Sequence, residues 1–123
     1  MIKVVCLFKR KAGLSHEEFR TYYENNHVKL FEDHLKQPGI ERYVRRYLTP
    51  VADSISGQTR DSGFDVIMEV WISDPALFDA FYGGSLDTAF REVVAADEAK
   101  FFDRDHMYIH TVDEVDTPLP AHH

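Results

Sequence analysis

The chain has 123 residues, the length of a single domain, with a net charge of -7. That charge, together with the lack of a basic stretch carrying interleaved aromatics, excludes a nucleic-acid surface; the Arg42, Arg45, Arg46 cluster is too small and too closely flanked by acids to offset it. A hydrophobic content of 44% with 28% charged residues excludes a disordered chain, and no apolar run is long enough to span a membrane.

A domain of this size buries roughly two-thirds of the surface its unfolded chain exposes. Its aromatic content of 13%, with 9 Phe and 6 Tyr, points to a core rich in rings, a ring-lined pocket, or both. Cys6 is the single cysteine, which rules out an intrachain disulfide, and in its apolar run a buried, inert thiol is expected. The apolar start precedes Lys9-Arg10-Lys11, the reverse of signal-peptide order, so a cytoplasmic protein is expected. His122 and His123 receive no role.

Residues 2–9, apolar and β-branched, predict a first strand, and Ala12-Gly13 turns the chain. Ser15-His16-Glu17-Glu18 is a capping box flanked by Leu14 and Phe19 at hydrophobic-staple spacing. A helix therefore starts here and runs to about Lys36, ahead of Pro38-Gly39. Phe19, Tyr23, Asn26, Leu30 and His34 follow the helical period, with Tyr22, His27 and Phe31 beside them, as expected of a face laid on a sheet. Residues 40–49 predict a second strand, with Ile40, Arg42, Val44, Arg46 and Leu48 on one side and Glu41, Tyr43, Arg45 and Tyr47 on the other.

Residues 50–63 lack periodicity and form a long loop. A third strand over residues 64–72 alternates Phe64, Val66, Met68, Val70 and Ile72 against Asp65, Ile67, Glu69 and Trp71. Asp74 caps a short helix with Pro75 at its first position, and Gly83-Gly84 breaks it. A second long helical stretch is expected from Ser85 to about Ala99, and a last strand over residues 105–112. Residues 1–115 then form one domain and 116–123 a Pro-containing tail.

Strand, helix, strand, strand, helix, strand is the split βαβ order of an α+β, ferredoxin-like fold with an antiparallel sheet. Its helices cover one sheet face and leave the other bare. A bare face carrying Tyr43, Tyr47, Ile67 and Trp71 is too apolar for water, so a homodimer packed sheet against sheet is expected.

The segment from Lys9 through Gly13-Leu14-Ser15 to Phe19-Arg20 resembles the opening of EthD-type proteins, members of the dimeric α/β-barrel superfamily. Tyr22-Tyr23 and His27 match the aromatic pair and following His of that family's first helix. Pro38-Gly39-Ile40-Glu41-Arg42-Tyr43 is similar to its helix exit and second strand, and Asp97-Glu98-Ala99-Lys100-Phe101-Phe102-Asp103 to its acidic, Phe-rich approach to the last strand. The likeness spans residues 2–115, and it is the ordered combination that is specific. It implies the ferredoxin-like fold and the homodimer. Relatives include muconolactone isomerases and polyketide dehydratases. The isomerases use a His on the first helix and a Tyr on the second strand, which His27 and Tyr43 match. They also use a Cys after the third-strand Glu, where this chain departs with Val70.

A neutral imidazole takes and returns a proton near neutral pH, which makes His27 the leading general acid–base candidate; the alternative is a core His bonded to a carbonyl. Tyr43 can polarise a carbonyl oxygen, or simply pack its ring and wet its hydroxyl. Tyr23, Tyr47, Glu69 and Trp71 are expected to line the substrate pocket. Asp65 and Glu69 are unusual on a covered face, and Arg45 is a candidate partner for such a carboxylate.

No metal site is expected. His27 and His34 stand roughly 10 Å apart along a helix. His106 and His110 stand roughly 13 Å apart along a strand, too far to share an ion. Gly83-Gly84-Ser85 can form an anion nest, although ending one helix and capping the next explains it. The expected function is a small cofactor-independent lyase or isomerase acting on an aromatic, polyketide-like or lactone compound. The alternatives are a non-catalytic binder of a small hydrophobic ligand or an accessory protein of an oxidative degradation pathway, and, more remotely, a haem-handling protein.

Overall fold

The computed structural model describes residues 1–84 and 86–121. The expected helix start at Ser85, the last residue of the Gly83-Gly84-Ser85 turn, and His122 and His123 lie outside the described residues. The elements run β1 (Ile2–Arg10), α1 (His16–Tyr22), a π turn (Tyr23–His27), a 3-10 turn (Val28–Phe31), α2 (Glu32–Leu35), β2 (Ile40–Tyr47), β3 (Val66–Ile72), α3 (Pro75–Tyr82), α4 (Thr88–Phe101) and β4 (Phe102–Thr111). The strands form one four-stranded sheet in the order β2-β3-β1-β4, with every neighbouring pair antiparallel. This is the expected α+β, ferredoxin-like architecture.

Local chemistry sets the helix starts. The Ser15 hydroxyl accepts from the Glu18 amide at 3.0 Å, and the Glu18 carboxylate accepts from the Ser15 amide at 3.0 Å, closing the capping box. Asp74 accepts from the Ala76 amide at 3.0 Å ahead of Pro75, and Asp87 accepts from the Phe90 amide at 3.0 Å to start α4. At the exit toward β2, Gly39 has a φ of +102°, and a Cβ there would lie 2.9 Å from Asp74 Cβ and Leu77 Cδ1. Only glycine fits that approach.

The first helical stretch differs from the uniform helix expected. After Tyr22 its hydrogen-bond spacing widens, the Val28 amide reaching back to the Tyr23 carbonyl, before the chain tightens into the 3-10 turn. Tyr23 and His27, four residues apart, both end up buried, with ring centroids 5.6 Å apart.

Val4, Cys6 and Phe8 of β1 and Val66, Met68, Val70 and Ile72 of β3 face the helices and form the core. A ring cluster closes it: Phe101 and Phe102 at the α4–β4 junction have centroids 4.0 Å apart, and Phe19 stands 5.6 Å from Phe101. Burying rings of this size supplies much of the core's transfer free energy and fixes the angle at which α4 meets the sheet.

The facing of β2 is corrected. Ile40 pairs with Ile72, yet Arg42 pairs with Trp71, so two residues of β2 span one of β3. This bulge reverses the alternation. Tyr43, Arg45 and Tyr47 consequently sit opposite Val70, Met68 and Val66 on the helix side, not on the bare face with Ile67 and Trp71. A one-residue slip moves every side chain to the other face, and burial of the Tyr43 ring beside the core decides which facing wins.

The helix-free face carries Val5, Leu7, Val44, Ile67, Trp71 and Tyr108. Lys3 and Arg42 lie over the Trp71 ring at 4.0 Å and 4.9 Å. Glu69 is also on this face, and its partner is Arg46, at 2.6 Å, instead of Arg45. Asp65 is buried at the end of the long loop, where it accepts from the Arg10 amide at 2.7 Å and meets His16 Nδ1 at 2.8 Å.

Candidate active site

Between the helix layer and the inner face of the sheet lies a cavity of about 440 Å³. Its wall is largely aromatic and aliphatic, built from Phe8, Phe31, Phe81 and Phe102 with Met68 and Met107, into which a few polar groups intrude. His27, Tyr43 and Tyr23 are among its lining residues. Tyr47, Glu69 and Trp71 are not: Tyr47 borders a separate hollow beside His16 and Arg20, while Glu69 and Trp71 belong to the opposite sheet face.

His27 is 4% exposed. Its Nδ1 lies 2.8 Å from Asp97 Oδ2, and Asp97 Oδ1 accepts from the Tyr22 hydroxyl at 2.5 Å. A carboxylate only accepts, so it holds the proton on Nδ1 and leaves Nε2 as the basic nitrogen. Burial pushes the His27 pKa below its ordinary value, while the bond to Asp97 and its charge oppose that shift. The Tyr22 phenol is pushed up to about 12 by burial and by Asp97, so it stays a donor. Phe101 lies 4.9 Å from the imidazole and Phe31 5.2 Å, which restrict the ring to this orientation.

Tyr43 is held differently. Burial raises its pKa, with the hydrogen bond from Tyr23 and the Arg45 charge opposing. Arg45 stacks over its ring at 4.8 Å and forks onto Glu24 of the π turn, through Nε at 2.9 Å and through Nη2. Tyr47 donates to the same carboxylate at 2.5 Å, and Arg20 lies 4.5 Å over the Tyr47 ring. Arg45 first, then Tyr47, holds the Glu24 carboxyl below its usual range against the cost of burial. The edge of β2 is thus clamped to the first helical stretch, which fixes Tyr43 against the cavity.

Three lining or adjoining groups carry no role in the sequence expectations: Asp97, Glu98 and His34. One signal does precede them. Two adjacent carboxylates in the last turn of a helix oppose its macrodipole, a placement that local energetics disfavours. His34 stacks on Phe90 with centroids 4.2 Å apart, and its Nδ1 is buried without a partner among the described residues. Also among the described residues, no three His, Cys, Asp or Glu side chains converge as metal ligands would, and no helix is long and apolar enough to cross a membrane.

Solved structures share this fold. A crystal structure of an ethyl tert-butyl ether D (EthD) family protein from Bacillus halodurans C-125 aligns with a TM-score of 0.58 at 21% identity, covering 94% of this chain and 99% of that one. HapK from Hahella chejuensis aligns with a TM-score of 0.59 at 12% identity, covering 99% and 100%. An Arabidopsis thaliana protein aligns with a TM-score of 0.57 at 12% identity, covering 97% and 100%. At these identities the likeness is one of fold. A comparison with curated proteins finds no match. Residues 11–105 match the model of the EthD domain. With its cap, ring cluster and sheet order in place around that matched segment, the chain belongs to the EthD family.

Proposed function

We propose that this EthD-family chain is a small enzyme working without a cofactor, a lyase or isomerase that moves protons on an aromatic, polyketide-like or lactone compound. One observation carries the proposal: a buried His27, oriented by Asp97 at 2.8 Å, in the wall of a ring-lined cavity of about 440 Å³. Nε2 of His27 accepts a proton from the bound compound. Asp97 holds the imidazole in the competent tautomer and stabilises the imidazolium that forms, with Tyr22 holding Asp97 in turn. Tyr43 donates its phenolic proton as a hydrogen bond to a substrate oxygen, and Tyr23 supplies the ring behind it. Neither Tyr47, Glu69 nor Trp71 contacts substrate in this arrangement. Tyr47 braces the clamp on β2, while Glu69 and Trp71 serve a homodimer formed through the helix-free face.

A non-catalytic binder would use the same cavity, but the His27–Asp97–Tyr22 chain would then be only a satisfied polar core. Turnover of a panel of phenols, polyketide-like aryl ketones and lactones separates the two. His27→Ala is expected to lose about 10²–10⁴-fold in kcat while remaining folded. A folded His27→Ala protein with normal turnover refutes the mechanism.

A further inference from the structure

Among the described residues, Glu98 is the one carboxyl side chain in the cavity lining. It follows Asp97 on α4, but the two acids point into different surroundings. Asp97 is spent on His27 and Tyr22, whereas the Glu98 carboxyl makes no hydrogen bond or ion pair among the described residues. An unpaired carboxyl among rings is costly when charged and tolerable when protonated. Burial raises its pKa, the charge of Asp97 adds to this, and Arg104 opposes it. Among the described residues, the titratable and charged groups around it are Tyr23 and His27 from the π turn, His34 from α2, Cys6 from β1, Tyr43 from β2, Tyr82 from α3, Arg104 from β4, and Arg91 and Asp97 on its own helix. Burial and the Glu98 charge push the Cys6 thiol up to about 12, so it adds no charge of its own.

The cations on the rim do not invite an acid. Arg91 donates to the carbonyls of Gly84 and Leu86 at 2.9 Å and 3.2 Å, and Arg104 to that of Ala95 at 3.1 Å. An anionic ring compound would meet the Glu98 carboxyl, beside guanidinium groups that already donate to backbone carbonyls. A neutral one would find a donor.

We propose that Glu98 is a second proton-handling residue of this cavity, donating from its carboxylic acid to the oxygen of an uncharged ring-bearing carbonyl or hydroxyl compound. This deepens the catalytic proposal and rests on it for the chemical step. His27 Nε2 takes a proton from the substrate as Glu98 gives one to the substrate oxygen. The substrate's proton count is unchanged if the oxygen stays, giving an isomer; water departs if a hydroxyl leaves, with its carbon–oxygen bond breaking as a double bond forms. Solvent then takes the His27 proton and returns one to Glu98. Burial raises the carboxyl's pKa and lowers the imidazole's, the two directions that favour an acid beside a neutral base.

The test reads binding as well as activity, so its failure can be told from failure of the catalytic proposal. Acetophenone, a neutral aryl ketone, serves as the probe, titrated calorimetrically into wild-type protein and into Glu98→Gln. Wild-type affinity is expected to fall about tenfold as pH rises through the raised Glu98 titration, when the donor becomes a carboxylate facing a carbonyl. Glu98→Gln, which keeps a donor but does not titrate, is expected to bind with no such dependence. The carboxyl ¹³C resonance of Glu98 in the wild-type protein is expected to titrate above the ordinary glutamate range and to shift on adding acetophenone, a readout that needs no variant. Absence of acetophenone binding, a pH dependence that survives in Glu98→Gln, or an ordinary Glu98 titration would each overturn the assignment, whether or not any panel compound turns over.

Discussion

Asp97→Asn is the sharpest probe of the site, because it preserves shape and removes one charge. In the wild type the carboxylate takes Nδ1–H of His27 at 2.8 Å and the Tyr22 hydroxyl at 2.5 Å. An asparagine can still accept from Nδ1–H through its carbonyl, but its amide then faces Tyr22, whose hydroxyl must turn to accept. Two charge-assisted bonds become two neutral ones, at a cost of about 1 kcal/mol each. The larger effect falls on the transition state. An imidazolium about 4 Å from a carboxylate gains about 4 kcal/mol at an effective dielectric constant near 20. Allowing for partial compensation by solvent and Tyr22, kcat/KM should fall about 10²–10³-fold.

The pH dependence has a determined sign. Asp97 raises the His27 pKa against the dominant effect of burial, so removing its charge lowers that pKa further. The acid limb of the kcat/KM profile, where His27 becomes protonated and idle, therefore moves to lower pH. Steady-state kinetics on the compound that turns over, together with an NMR titration of His27, measures both effects. A folded Asp97→Asn protein with a rate within about threefold of wild type and an unmoved His27 titration would refute Asp97 as the orienting group.

Two further outcomes test the scaffold. Ser15→Ala should cost about 1 kcal/mol in denaturant melts, by orphaning the Glu18 amide at the start of the helix that carries Tyr23 and His27. Light scattering should return twice the 14.3 kDa chain mass at micromolar concentration, and Trp71→Asp should shift the population toward monomer. A wild-type monomer would leave the Val5, Leu7, Ile67 and Trp71 face without the partner proposed for it.

Much of the fold was legible locally. The Ser15–Glu18 cap, Pro75 behind Asp74 and the Pro38-Gly39 exit are decided by neighbours within four residues, where capping and backbone sterics dominate over tertiary context. The first strand announces itself as a β-branched apolar run and the second and third by alternation, and the order of strands and helices restricts the topology to the split βαβ arrangement. His27 and Tyr43 could be singled out because a titratable ring and a phenol stand at the positions that match the EthD pattern.

What tertiary structure decided depends on groups far apart in the chain. The partner of His27 is seventy residues away, and no periodicity within either helix indicates which carboxylate will meet it. Alternation correctly separated the two sides of β2 from Arg42 to Tyr47, though it grouped Ile40 with Arg42, and it could not say which side faces the helices. A bulge at the strand's start inverts the phase, and only pairing with β3 and burial of Tyr43 fix the choice. That single inversion moves Tyr43 and Tyr47 inside and gives Glu24, not a strand carboxylate, to Arg45. Glu69 and Trp71 remain on the helix-free face. Side-chain chemistry can therefore be read residue by residue, while membership of the site is settled by strand register and by the three-dimensional meeting of α4 with the widened turn, which no local rule encodes.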